Sequence, residues 1–118
     1  MSAEKKKICR ALALSGGANK GAYEVGVMKG LIDLLPAEDV QWDVVTGVSA
    51  GAINAGGMSL FPVGMEKPMI DFMSELMQNL QTEYIYKYWD GPIGTGFFHS
   101  GYFNNTPMQG FLEKVLDL

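Results

Sequence analysis

Residues 8–14 form a short apolar run, Ile8, Cys9, Ala11, Leu12, Ala13 and Leu14, broken at once by Ser15-Gly16-Gly17. A run this short, ending in glycine, predicts a buried strand rather than a helix. Over residues 20–35 the period lengthens. Val25, Met28, Ile32 and Leu35 fall on one helical face, with Leu31 beside them. Pro36 stops that helix, because the residue before a proline is pushed out of the helical region. Gly26 and Gly30 lie four apart within it. Glycine costs about 1 kcal/mol against alanine in a helix, so the pair predicts close packing against another backbone.

Trp42, Val44, Val45 and Thr46 read as a second strand, which runs into Gly47-Val48-Ser49-Ala50-Gly51. The small residues of 50–58 predict a helix packed tightly on the sheet. Strand, glycine turn and helix, repeated once, is the order of a βαβα unit with parallel strands. The fold class expected is therefore α/β. Residues 66–81 are amphipathic, with Met69, Phe72, Met73, Leu76, Met77 and Leu80 at helical spacing. Met65, Met69, Met73 and Met77 recur every fourth residue. Such a stripe reads as adaptable core, with a greasy lid over a lipid entrance as the alternative. Residues 84–89 are aromatic and fit a loop or a short strand. Asp90-Gly91-Pro92 and Gly94-Thr95-Gly96 mark a long turn. Thr106 as N-cap and Pro107 at the first helical position open a last helix carrying Met108, Phe111, Leu112, Val115 and Leu116.

Length and charge narrow the function. The 118 residues hold one domain at most. With 47% hydrophobic and 19% charged residues, the chain has the apolar content a core needs. Its net charge is −4 and no basic stripe runs along it, which argues against nucleic acid as a partner. Lys5, Lys6, Lys7 and Arg10 form a basic cluster that reads as a solvated end, with weak attraction to anionic lipid as the rarer alternative. Cys9 is the single cysteine, so no intrachain disulfide can form, and it reads as a small buried hydrophobe. No apolar run reaches the length that spans a bilayer, and the polar N-terminus has no signal-peptide pattern. A cytoplasmic or peripheral membrane location is the expectation.

Gly47-x-Ser49-x-Gly51 between a strand and a helix is a nucleophile-elbow pattern. A serine on so sharp a turn is crowded by its neighbours, and glycines two before and two after remove the Cβ atoms that would clash. The helix beginning at Ala50 points its amide dipoles at the serine. Residues 16–21 (Gly16-Gly17-Ala18-Asn19-Lys20-Gly21) also follow a strand and open a helix. Acyl transfer builds an oxyanion, and backbone amides freed by glycine can surround it. Ala50 N–H, just after the serine, would add a donor. Two such turns at the ends of neighbouring parallel strands face one crevice. A phosphate loop fits less well: Ala22-Tyr23 follow Gly21 where Lys and Ser/Thr belong, and Lys20 precedes it. No cluster has metal-ligand spacing, so neither metal nor cofactor is expected.

Residues 14–23, Leu14-Ser15-Gly16-Gly17-Ala18-Asn19-Lys20-Gly21-Ala22-Tyr23, followed by Gly47-Val48-Ser49-Ala50-Gly51-Ala52, resemble the patatin-like phospholipases. The oxyanion motif of that family is G-G-G-x-[KR]-G and its nucleophile motif is G-x-S-x-G. Gly101-Tyr102-Phe103-Asn104-Asn105-Thr106-Pro107-Met108 looks like the stretch with N-x-x-P before a helix in that family. The resemblance implies a three-layer α/β/α fold with a mostly parallel sheet, incomplete in this chain. It implies lipid acyl hydrolysis by a Ser-Asp dyad, with lipid or phospholipid as substrate and peripheral membrane contact. Mapped here, Ser49 is the nucleophile, and the amides of Gly16, Gly17 and Ala18 are the oxyanion donors. Lys20, Gly21, Gly47 and Gly51 complete the motifs. Ala18 departs from the third glycine of the family.

The family's aspartate lies in D-G-[GA], downstream of the N-x-x-P stretch, which places it beyond residue 118 and predicts that residues 1–118 alone are inactive. The expectation is one N-terminal portion of a single acyl-hydrolase domain. Asp90-Gly91-Pro92 has the first two letters but comes too early and reads as a turn. His99 is the single histidine. A Ser49, Asp90, His99 triad would follow α/β-hydrolase order but is too compressed in spacing, so His99 reads as structural. The alternative to an enzyme is a non-catalytic patatin-like module that binds a protein or a membrane through its methionine and aromatic surface.

Overall fold

The computed structural model describes residues 8–92 and 95–116. Lys5, Lys6, Lys7 and Gly94, which entered the expectations above, lie outside these residues. The chain divides into two compact units, 1–78 and 79–118.

In the first unit, β1 (Ala11–Leu14) leads through a 3-10 turn, Ala18–Lys20, into α1 (Gly21–Leu34). β2 (Val44–Gly47), α2 (Ala50–Met58) and α3 (Glu66–Asn79) follow. The strands pair in parallel, Ala11 opposite Val44 and Leu14 opposite Gly47. The fold class is α/β, as the alternation of periods predicts. Strand side chains alternate faces. Leu14 is buried among Val25, Met28, Met58, Met69, Ile70 and Met73, with Leu12 and Val45 packed against that cluster. Ala11, Ala13, Val44 and Thr46 are exposed on the other face. All three helices of this unit thus contribute to a core on one side of the strands. Among the described residues no helix is long and apolar enough to cross a membrane.

The methionine stripe is core where it matters: Met69 and Met73 are buried, and Met77 packs against them, while Met65 is exposed. Four other expectations are corrected. β1 begins at Ala11, and Ile8 and Cys9 are both exposed, so Cys9 is not a buried hydrophobe. Residue 10 already belongs to a corner: its carbonyl accepts from Asp43 N (2.9 Å) and Val44 N (3.2 Å), and its guanidinium pairs with Asp39 at 2.8 Å. Leu31 and Leu35 are exposed, because the buried stripe of α1 is Val25, Met28 and part of Ile32. Leu35 is extended (φ −106°, ψ 158°), as a residue before proline must be. Gly26 and Gly30 fall off the buried stripe, and a Cβ on either would meet nothing within 4 Å. They are not sites of close backbone approach.

A four-charge surface network joins α1 to α3. Asp33 lies 3.0 Å from Lys29 and 3.2 Å from Lys67, and Asp71 lies 2.9 Å from Lys67 and 3.7 Å from Lys29. Hydrogen bonds from Lys29 and then Lys67 hold the Asp33 carboxyl below its ordinary value. Bonds to Asp71 and Asp33 raise the Lys67 ammonium above its own.

In the second unit a single antiparallel bridge joins Lys87 and Asn104, whose amides and carbonyls exchange bonds of 2.8 and 2.9 Å. Residues 84–89, expected as a loop or a short strand, are loop apart from this one bridge at Lys87 and the end of a 3-10 turn at Tyr84. Phe103 packs on Tyr86 with ring centroids 4.7 Å apart. Gly91 has φ 129°, which confirms the turn at Asp90-Gly91-Pro92. α4 (Thr106–Leu116) starts as expected, but the capping oxygen is Asn104 Oδ1, which accepts from Thr106 N (3.0 Å) and Thr106 Oγ1 (2.6 Å). Asn104 lies two residues before the helix, and its longer side chain reaches forward to the Thr106 N–H in an Asx turn.

Candidate active site

β2 ends at Gly47 and α2 begins at Ala50, so Val48 and Ser49 alone make the turn between them. Ser49 takes φ 54° and ψ −122°, a left-handed conformation costing an L-residue about 1–3 kcal/mol. The turn is locked from both sides. Val48 N donates to Leu14 O at 3.0 Å, Gly51 N to Val48 O at 2.9 Å, and Ala52 N to Ser49 O at 2.9 Å. Its flanking glycines are sterically required. A Cβ on Gly47 would lie 2.1 Å from Gly51 O, and one on Gly51 would lie 2.5 Å from Leu14 O. Ser49 is exposed, and its side chain makes no capping bond to the helix it precedes. The hydroxyl is left available at the N-terminus of α2, where the helix dipole favours negative charge.

The glycine turn comes to the same place. β1 and β2 are adjacent and parallel, with Leu14 paired to Gly47, so residues 15–20 and 48–49 leave the sheet at one edge. A Cβ built on Gly16 would lie 3.2 Å from Ser49 Cβ and 3.5 Å from Val48 O. Lys20 N closes the turn on Gly17 O at 2.9 Å. Among the described residues, the amides of Gly16, Gly17, Ala18 and Ala50 donate to no turn or cap acceptor. Ala18 has φ 49°, a left-handed backbone in which the third glycine of the motif would carry no strain. The structure therefore brings Ser49 beside Gly16, with Gly47 and Gly51 as the supports that the spacing of the motif predicts.

Sequence reasoning missed Asn54 and Glu24. Asn54 is 1% exposed and the one buried polar side chain among the described residues. Its Nδ2 donates to Gly21 O at 3.0 Å and to Glu24 Oε2 at 2.9 Å. The available signal was a lone amide among small residues, one helical turn past Ala50. Gly21 itself is in ordinary contact, since a Cβ there would lie 3.5 Å from Ala50 Cβ.

The other candidates, Asp90 and His99, belong to the second unit. His99 stacks on Trp89 with ring centroids 3.7 Å apart and planes 11° from parallel, and Asp90 lies in the turn beside that pair. A cavity of about 320 Å³ lined by Trp42, Val45, Ala55, Met58, Phe61 and Met69 opens at the opposite ends of β2 and α2, away from Ser49.

Parallel strands, a glycine turn and a strained serine at a strand-to-helix elbow define an α/β protein. The chain belongs to the patatin-like phospholipase family, whose model matches residues 12–117 and so spans both motifs and α4. Members of that family are in general lipid acyl hydrolases. No curated protein and no solved structure matches the chain.

Proposed function

We propose that this protein is a serine-dependent lipid acyl hydrolase of the phospholipase A or esterase type, with Ser49 as nucleophile. Ser49 Oγ attacks the ester carbonyl of an acyl chain. The oxyanion that forms lies among the amides of Gly16, Gly17, Ala18 and Ala50, and losing one such donor typically costs about 2.7–4 kcal/mol of barrier. The alcohol leaves with a proton, and water then releases the acyl group from Ser49. A serine hydroxyl is a weak nucleophile without a base. The family resemblance supplies that base as an aspartate beyond residue 118. The substrate is a lipid or phospholipid, met by peripheral contact with the surface that presents it.

The observation that supports this reading is the pairing of a left-handed Ser49 (φ 54°) with a glycine at 16 whose Cβ would stand 3.2 Å from it. A structural turn has no need to strain a serine and press a second glycine turn against it. The test uses the whole protein on a fatty-acyl p-nitrophenyl ester and on phospholipid micelles. Ser49→Ala abolishes release of fatty acid, and an alkyl fluorophosphonate labels the wild type at Ser49 alone. Unchanged hydrolysis in Ser49→Ala would refute the proposal.

A further inference from the structure

We infer that Asn54 is a positioning residue whose buried amide clamps the start of α1, and with it the glycine turn, onto the helix that carries Ser49. The inference rests on the acyl-hydrolase reading above and assigns that site a part outside its motifs.

Asn54 follows Ala50 by four residues, so the two share one face of α2. That face receives Gly21, the last residue of the glycine turn and the first of α1. A Cβ on Gly21 would lie 3.5 Å from Ala50 Cβ and 3.6 Å from Asn54 Nδ2. Nδ2 donates to Gly21 O at 3.0 Å and to the Glu24 carboxylate at 2.9 Å. Both partners are acceptors, which fixes the orientation of the amide, because its oxygen in that place would face two oxygens. Among the described residues these two are the side-chain hydrogen bonds that join α1 to α2.

Packing alone does not account for an amide here. Asn54 Oδ1 is buried with no partner among the described residues. An apolar side chain of similar size would spare the protein that orphan oxygen. What the amide supplies is a tie between two backbones. The glycine turn is anchored at one end by β1, through Leu14 and its pairing with Gly47. At the other end it is anchored by Gly21. Releasing Gly21 leaves the amides of Gly16, Gly17 and Ala18 free to drift from Ser49. An oxyanion hole works because its donors are fixed before charge develops. Its loosening slows the chemical step without weakening the grip on the acyl chain.

The experiment compares Asn54→Leu and Glu24→Ala with wild type in the whole protein. Phosphonylation of Ser49 by an alkyl fluorophosphonate is followed against probe concentration. Hydrogen exchange is measured along the first unit. In Asn54→Leu the maximal labelling rate falls about 10- to 100-fold, the scale of small misplacements in active sites, and the half-saturating concentration is unchanged. Residues 15–21 exchange faster, and 70–77 do not. Glu24→Ala keeps the bond to Gly21 O and moves both readouts in the same direction by less. If Asn54→Leu does not fold, Glu24→Ala carries both readouts. An unchanged labelling rate with unchanged exchange at 15–21 overturns the inference. So does protection lost evenly across the unit, which is the mark of a purely structural residue. A wild type that takes no label at Ser49 refutes the hydrolase reading, and the clamp is then decided by exchange alone.

Discussion

A Cβ on Gly51 would stand 2.5 Å from the carbonyl oxygen of Leu14. The elbow helix is therefore pressed against the end of β1 by backbone, with no side chain between to yield. Gly47 is as tightly placed against Gly51 O from the other side. Gly51→Ala and Gly47→Ala should each destabilise the protein by about 3 kcal/mol or more, the upper range of overpacking, because backbone cannot step aside. Urea unfolding midpoints measure this, and a loss within error would show that α2 can slide outward.

Ser49 and Ala18 are the two non-glycine residues with positive φ among those described. Ser49→Gly should stabilise the protein by about 1 kcal/mol through relief of strain while removing the nucleophile. A thermal midpoint that rises as ester hydrolysis disappears is the expected pair of results. Equal or lower stability would mean that the elbow is unstrained in solution.

Ala18→Gly tests the same physics without touching chemistry, since the amide is retained. Strain relief outweighs the entropy that glycine adds to the unfolded chain, so the gain is expected to reach up to about 1 kcal/mol. Phosphonylation of Ser49 should continue. A fall in thermal midpoint would contradict the left-handed backbone at 18.

Gly26 and Gly30 lie in α1 with open space where a side chain would go. Gly26→Ala and Gly30→Ala should each stabilise by about 0.5–1 kcal/mol, the helix-interior penalty of glycine. Loss of stability in either would mark that face as one on which another backbone packs closely.

The Asp33, Lys29, Lys67 and Asp71 network should act as a pH-dependent brace. Asp33 is held below its ordinary value of 3.8 by the two lysines. A carboxyl with a depressed folded-state value stabilises the fold above the unfolded value and loses that contribution as pH falls through the folded one. The stability difference between wild type and Asp33→Asn should thus be present at neutral pH, begin to shrink below about pH 3.8 and vanish only once the pH is under the lower folded-state value. Lys67 works in the opposite sense, its contribution holding below its unfolded value and fading in strong alkali. These groups are exposed, so the effect is small and added salt reduces it.

Much of the site was legible in the chain because its parts are local. α2 falls on Ala50–Met58, as the run of small residues predicts, and α1 stops where Pro36 requires. The elbow serine and both glycine turns were readable because a tight strand-to-helix turn constrains the residues inside it. Elements of this kind are decided within a few residues, by periodicity, proline and glycine.

Tertiary structure decided which of those signals carry weight. Gly26 and Gly51 are the same residue in two helices, yet one faces open space and the other the backbone of Leu14, thirty-seven positions away in the chain. Cys9 sits in an apolar run and is exposed, because pairing with β2 starts at Ala11. Asn54 looked like an ordinary helix residue until folding set Gly21 and Glu24 against its amide. What a residue does locally follows from its own bonds and shape. What it is needed for depends on which distant segment arrives beside it, and only packing of the strands and helices settles that.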